Sequence, residues 1–247
     1  MFNIVKKCRI RTISMKKILL LLVLLVSSCA YCQKQEGPNK LYPILFNYAR
    51  DLYEEYGNIP FERKVILEEI ANYCIGAHQI ENRARVLLIE TNHASRAVLA
   101  QTWAAAAAYY YGIDYVNVYS GGIISSEIAT NAVIALEKAG FIVYKISEGK
   151  NPNYEIKFTY NVKPVIIKSI KYNDPVNPES NFGSIILCSN ADINLPVVKG
   201  NNFRTSLHYL DPAAYDGTSE ALDMYLEKSK DIAVEMFYLF YVLKNSK

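Results

Sequence analysis

The residues best suited to chemistry lie in a short polar loop between a predicted strand and a predicted helix. The apolar run 86–89 predicts a fully buried strand, and the Ala-rich run that begins near Arg96 predicts a helix. A helix N-terminus placed in this way presents backbone N–H groups and the positive end of the helix dipole to an anion. The guanidinium of Arg96 adds a pair of donors that suits phosphate or a related oxyanion. The loop consists of Glu90, Thr91, Asn92, His93, Ala94, Ser95 and Arg96, and it is called the 90–96 loop below.

Glu90 contradicts a simple oxyanion site, because it places a carboxylate where the anion would lie. A carboxylate repels a phosphate dianion, and enzymes that do form aspartyl-phosphates use a metal to neutralise the charge. We therefore expect Glu90 to occupy the anion site itself, accepting loop N–H groups and pairing with Arg96. This arrangement would spare Arg96 the free-energy cost of a buried charge without a partner.

The first residues of the chain have the composition of a targeting segment. Residues 1–28 hold six of the 27 lysines and arginines and no acidic residue, and they include a nine-residue apolar run at 18–26. That run is too short to span a bilayer but suits a signal peptide, whose true start we expect at Met15. Residues 26–29 resemble a bacterial lipoprotein cleavage site, in which Cys29 becomes lipidated. Ordinary signal cleavage after Cys32 is the alternative, and both predict export to the periplasmic side of a bacterial envelope.

The rest of the sequence divides into a tether, a helical extension and one α/β domain. Beyond the targeting segment 21 basic and 24 acidic residues remain, so charge gives no argument for nucleic-acid binding. The polar residues 29–40 predict a tether. Apolar side chains at helical spacing in 41–82 predict two helices in a hairpin. Residues 83–247 predict the main domain.

Strands and helices alternate along the main domain. Buried strands are predicted at 86–89, 116–119, 141–146 and 185–189, with helices in the connections. This order predicts a four-stranded parallel open sheet with helices on both faces and right-handed crossovers.

Weaker patterns fill the second half of the domain. Alternating and apolar runs at 154–160 and 165–170 predict a β-pair at a sheet edge, and a last helix is predicted from 218 to 244. The long loop 190–217 contains a predicted short strand at 206–210. Functional loops of an open α/β sheet lie at the carboxyl ends of its strands, so this loop should lie beside the 90–96 loop.

Several blocks of sequence resemble one family. They are similar to the low-molecular-weight protein tyrosine phosphatases and the thioredoxin-coupled arsenate reductases that share their fold, and in particular to a bacterial branch with the same helical extension. The resemblance covers roughly residues 42–244. The blocks are the strand and loop that end at Arg96, Gln101-Thr102-Trp103, Tyr119-Ser120-Gly121-Gly122, residues 147–152, residues 188–192, Asp211-Pro212 and Asp216-Gly217-Thr218.

The resemblance implies a chemistry that this chain cannot carry out in full. In the family a Cys at the start of the loop attacks phosphorus, the loop Arg holds the oxygens, and an Asp before Pro protonates the leaving group. Arg96 and Asp211 match the last two roles. Glu90 stands at the position of the nucleophilic Cys. His93 stands where the family has a loop-shaping Asn, and Ala97 stands where it has a Ser. Of the two further cysteines that relay electrons in the reductases, Cys188 matches one, and Leu195 stands at the position of the other.

Three functions remain open from the sequence. The first is a catalytically inactive, exported phosphatase-like domain that acts by binding a small oxyanion or a phosphorylated ligand, with no cofactor. The second is an active hydrolase with an altered or metal-assisted mechanism that uses Glu90 and Asp211; a metal site formed by these two residues with His93 and His208 is a weaker form of it. The third is a scaffold for a protein partner. The lipid on Cys29 would add the membrane as a partner in each case.

Overall fold

The computed structural model describes residues 40–246, which form a parallel sheet covered by helices and a second, smaller sheet beside it. The targeting segment 1–28 and the tether predicted for 29–40 lie outside the described residues, except for Lys40. The helices are α1 (Pro43–Leu52), α2 (Phe61–Glu81), α3 (Arg96–Tyr111), α4 (Thr130–Ala139), α5 (Ser189–Asn194) and α6 (Ala221–Asn245), and the 3-10 helices are Tyr53–Asn58 and Pro212–Tyr215. The strands are β1 (Ala84–Glu90), β2 (Val116–Gly122), β3 (Ile142–Lys145), β4 (Tyr154–Lys157), β5 (Val165–Ile167), β6 (Phe182–Ile186) and β7 (Asn201–Ser206).

The main sheet has four strands in the order β2-β1-β6-β7, and all its pairings are parallel. Every residue of β6 is buried, as are Val86 to Glu90 of β1, which is typical of central parallel strands covered on both faces. The predicted class of fold, an α/β parallel open sheet, is confirmed.

Two of the strands are not the ones that the sequence predicted. The run 141–146 was expected in the parallel sheet, but β3 pairs antiparallel with β4, and β4 pairs antiparallel with β5. The predicted pair at 154–160 and 165–170 is therefore part of a separate three-stranded sheet. The fourth place in the parallel sheet belongs to β7, which lies earlier in the chain than the predicted strand at 206–210.

The helical extension packs on the main domain, as its apolar stripes predict. Leu45, Leu67 and Ile70 are fully buried and belong to the large core that also contains Trp103 and Phe237. Trp103 of α3 donates its indole N–H to Ser229 of α6 over 3.0 Å, so the two long helices are joined by a buried polar contact as well as by packing. No helix among residues 40–246 is long and apolar enough to cross a membrane.

Candidate functional site

The 90–96 loop lies at the carboxyl end of β1, in the middle of the parallel sheet. Glu90 is the last residue of β1, opposite Gly122 of β2, and Arg96 is the first residue of α3. Gly122 has to be a glycine, because a Cβ atom there would lie 2.8 Å from the backbone N of His93. His93 itself has a φ of 50°, a left-handed conformation that lets the loop turn sharply. The loop is thus held close to the end of β2.

The carboxylate of Glu90 lies inside the loop and accepts the donors that an anion would use. Its Oε1 accepts the backbone N–H of Ser95 over 3.1 Å and that of Ala97 over 3.3 Å. Its Oε2 accepts Nε–H of Arg96 over 3.2 Å. Glu90 is 1% exposed. The ion pair with Arg96 that the sequence analysis expected is therefore present, and both carboxylate oxygens are engaged.

Arg96 connects Glu90 to the residues that follow β7. Its Nη1 donates to the backbone carbonyl of Tyr209 over 3.2 Å, and its Nη2 donates to Oδ2 of Asp211 over 2.6 Å. The other oxygen of Asp211 accepts the N–H of Ala213 over 3.1 Å. One guanidinium thus serves two carboxyl groups, and with both ionised the formal charge of the group is −1. The loop 190–217 lies beside the 90–96 loop, as predicted.

His93 is fixed in its neutral form. Its Nδ1 accepts the backbone N–H of Ile170 over 2.8 Å, so the ring proton lies on Nε2, which donates to Oγ of Ser120 over 2.7 Å. The Ser120 hydroxyl in turn donates to Gln101. Burial lowers the pKa of His93 from 6.5 to about 4. Both ring nitrogens are used, so His93 shapes the loop and has no lone pair left for a metal.

The remaining loop residues attach the outer part of the loop to its neighbours. The carbonyl of Asn92 accepts the Ser126 hydroxyl over 2.9 Å, and the carbonyl of Ala94 accepts the N–H of Ala129 over 2.9 Å. Ser126 therefore contacts the loop, and α4 begins four residues later, at Thr130.

Cys188 lies next to the loop but inside an apolar cluster. The Sγ atom of Cys188 is 3.3 Å from Oγ1 of Thr91, and Cys188 is 5% exposed. Leu195 packs in the same cluster. Cys74 belongs to the other core, where burial raises the pKa of its thiol to about 12, and both cysteines are free. Cys74 and Cys188 are therefore not joined by a disulfide.

The residues suggested for a metal site are separated by their contacts. His208 pairs with Asp192, with Nε2 3.1 Å from Oδ2, while Glu90 and His93 are engaged as described. Among the described residues, no group of three or more His, Cys, Asp or Glu side chains is placed to hold a metal ion.

A second buried ion pair adjoins the site, and the sequence analysis missed it. Arg63 of α2 binds both carboxylate oxygens of Glu235 of α6, with Nη2 2.7 Å from Oε2. The hydroxyl of Tyr209 donates to the same Oε2 over 2.6 Å, and Arg63 lies over the Tyr209 ring at 4.9 Å. Burial and the adjacent Glu235 carboxylate raise the pKa of Tyr209. The signal in the sequence is an acidic residue, Glu235, on the mainly apolar buried face of the last helix.

Comparison with known proteins yields likenesses of structure only. No family model and no curated protein matches the chain. A mutant of YwlE from Bacillus subtilis is 18% identical, with a TM-score of 0.47 over 66% of this chain and 99% of that one. An arsenate reductase in the phosphate binding state is 17% identical, with a TM-score of 0.44 over 65% of this chain and 98% of that one. A low-molecular-weight phosphotyrosine phosphatase from Vibrio cholerae O395 is 12% identical, with a TM-score of 0.45 over 66% and 98%.

Two of these solved structures are an arsenate reductase and a low-molecular-weight phosphotyrosine phosphatase, the two groups that the sequence blocks resemble, and YwlE is an arginine phosphatase. At these identities the likeness concerns the fold, which the strand order and the placement of the helices establish on their own.

Proposed function

We propose that this chain is a catalytically inactive relative of the phosphatases and arsenate reductases, exported to the bacterial envelope, and that it acts by binding. The observation that carries the proposal is the carboxylate of Glu90 within the 90–96 loop. It uses the N–H groups and the guanidinium nitrogen that would otherwise hold an oxyanion. Loss of a catalytic nucleophile lowers turnover by about a million-fold in a well-studied protease, and binding contacts alone do not restore it.

The contacts of Asp211 support the same proposal. A general acid must reach the leaving oxygen of a bound substrate. Asp211 is instead paired with Arg96 and with the N–H of Ala213, so both of its oxygens are occupied. Its side chain is 36% exposed, which makes it the part of the group that solvent and a ligand can reach.

A metal-assisted hydrolase has less support. Such a mechanism needs a cation to neutralise Glu90. Arg96 already fulfils this role, and the second candidate partner, His93, has no free nitrogen. We therefore prefer binding to hydrolysis as the proposed function.

The test is an activity assay with a matched variant. Purified wild-type protein and Arg96→Lys, which keeps a positive charge beside Glu90, are given an aryl phosphate with and without zinc or manganese, and arsenate with thioredoxin or glutathione. We expect no turnover by either protein above the buffer blank. Hydrolysis by the wild type that disappears in Arg96→Lys would contradict the proposal, as would thiol-dependent arsenite formation above a Cys188→Ser control.

A further inference from the structure

The three-stranded sheet exposes a face that carries apolar and basic side chains. Tyr144 of β3, Glu155 of β4 and Ile166 of β5 lie opposite one another, so they share one face. Tyr144 and Ile166 are 50% and 53% exposed. Lys157, on the same face, places its Nζ 5.2 Å from the centre of the Tyr144 ring. We call this surface, together with the exposed lysines 163 and 168 at β5, the basic sheet face.

Positive charge is concentrated in this part of the chain. Residues 138–171 contain seven lysines and two acidic residues, whereas the other described residues contain 12 basic and 21 acidic residues. Lys145 pairs with Glu148 and Lys157 with Glu155, but Lys163 and Lys168 make no ion pair within the described residues. A strongly basic surface on an otherwise acidic domain indicates an anionic partner.

The first of the described residues lie beside this same sheet. Thr159 donates its hydroxyl to the carbonyl of Lys40 over 2.6 Å, and the ring of Tyr42 contacts that of Tyr160 with 4.6 Å between centres. Tyr160 is 83% exposed. Only ten residues lie between Cys29 and Lys40, and an extended chain over those eleven Cα–Cα steps reaches at most about 40 Å. A lipid on Cys29 would hold the basic sheet face at high effective concentration near the bilayer.

We propose that the basic sheet face docks on the surface of an anionic lipid bilayer. The proposal rests on the export that is part of the proposed function and on the lipid that the sequence predicts on Cys29. Exposed tyrosine and aliphatic side chains beside lysines suit the interface between headgroups and acyl chains, whereas a nucleic acid would need the charge alone. Each lysine near an anionic membrane surface strengthens binding about fivefold.

The test is hydrogen exchange on the full chain as cells process it, in vesicles of phosphatidylcholine with and without phosphatidylglycerol. Amides in residues 142–171 should exchange more slowly only when phosphatidylglycerol is present, while those of α6 exchange equally in both. The double variant Lys163→Glu with Lys168→Glu should lose this protection, because the docking equilibrium constant falls by at least about thirtyfold. The same vesicles are used if the processed chain proves to carry no lipid.

The matched control is Arg83→Glu with Lys199→Glu, which changes the net charge equally at two exposed residues outside 138–171. It should keep the protection. Equal exchange in the two kinds of vesicle would overturn the proposal, and so would equal loss in the two double variants. Protection by heparin or an acidic protein without protection by phosphatidylglycerol would also overturn it. Catalytic inactivity is tested separately by the activity assay on purified protein, so either proposal can fail alone.

Discussion

Replacement of Glu90 by alanine should convert the 90–96 loop from a self-occupied site into an oxyanion site. The change removes the acceptor of three donors: the N–H groups of Ser95 and Ala97 and the Nε–H of Arg96. These donors remain fixed by the start of α3 and by the contacts of Arg96 with Tyr209 and Asp211. A small anion such as phosphate could then take the place of the carboxylate.

The same contacts set the magnitude of the two expected effects. A hydrogen bond to a charged group contributes about 1.5–3 kcal/mol, so the recovery of even one such bond by phosphate should raise its affinity at least about tenfold. Removal of one partner of a buried ion pair costs about 3–5 kcal/mol. Arg96 keeps Asp211 as a partner, so we expect the free energy of unfolding to fall by about 3 kcal/mol, at the lower end of that range.

The assay is calorimetric titration of phosphate into the wild type, Glu90→Ala and Glu90→Gln, with thermal unfolding in parallel. Glutamine keeps the volume of Glu90 but turns an amide N–H₂ towards one of the donors, so Glu90→Gln should be destabilised without a gain in phosphate affinity. Phosphate at a hundred times its dissociation constant should raise the free energy of unfolding of Glu90→Ala by about 2.7 kcal/mol, and it should not raise that of the other two proteins. Wild-type affinity equal to that of Glu90→Ala would refute the reasoning, because the carboxylate could not then be in the site.

Three further changes test other parts of the structure. Folding holds His93 neutral with a pKa of about 4, whereas in the unfolded chain this residue takes up a proton below pH 6.5. The free energy of unfolding should therefore fall by about 3 kcal/mol from pH 6.5 to 4. Denaturant titrations of His93→Gln should show a weaker dependence of stability on pH. Arg63→Met leaves buried Glu235 without its cation, so hydrogen exchange should become faster in residues 207–211. The amides of β1 report any general loss of stability, and the increase in residues 207–211 should exceed theirs. Mass spectrometry of the protein made by cells should find a chain that begins at lipidated Cys29; an intact Met1 in the cytosol would contradict export.

The strands of the parallel sheet could be predicted from sequence where they contain an apolar run. Residues 86–89 of β1 and residues 185–186 of β6, which lie in the run 185–189 predicted as a strand, are apolar and buried, and such runs indicate buried strands. β7 is an edge strand whose sequence contains Asn201, Asn202 and Arg204, so no apolar pattern marked it. β3 is apolar at its start but ends in Tyr144 and Lys145, both exposed. A strand that is partly exposed to solvent is more typical of antiparallel pairing than of a buried parallel sheet, but the helix before it favoured the parallel prediction.

In the candidate site too, some contacts could be predicted from the sequence and others could not. Glu90 and Arg96 lie six residues apart in one loop, so local geometry was enough to predict their pair. Asp211 could be placed beside them because loops at the carboxyl ends of parallel strands share one edge. The contacts of Tyr209 with Glu235 and Arg63 join three separate parts of the chain. No spacing in the sequence encodes contacts of this kind.

Tyr209 makes the helical extension part of the environment of the 90–96 loop. Its carbonyl accepts from Arg96, its hydroxyl donates to Glu235, and Arg63 of the extension contacts its ring and donates to the carbonyl of the preceding residue over 2.9 Å. Arg96 is therefore positioned from two sides, by Glu90 within the loop and by a segment that α2 and α6 hold in place. A new nucleophile at position 90 would leave Asp211 paired with Arg96 and position 97 without a hydroxyl. Under the proposed function, the chain departs from phosphatase chemistry in several linked contacts, and a single substitution should not reverse that departure.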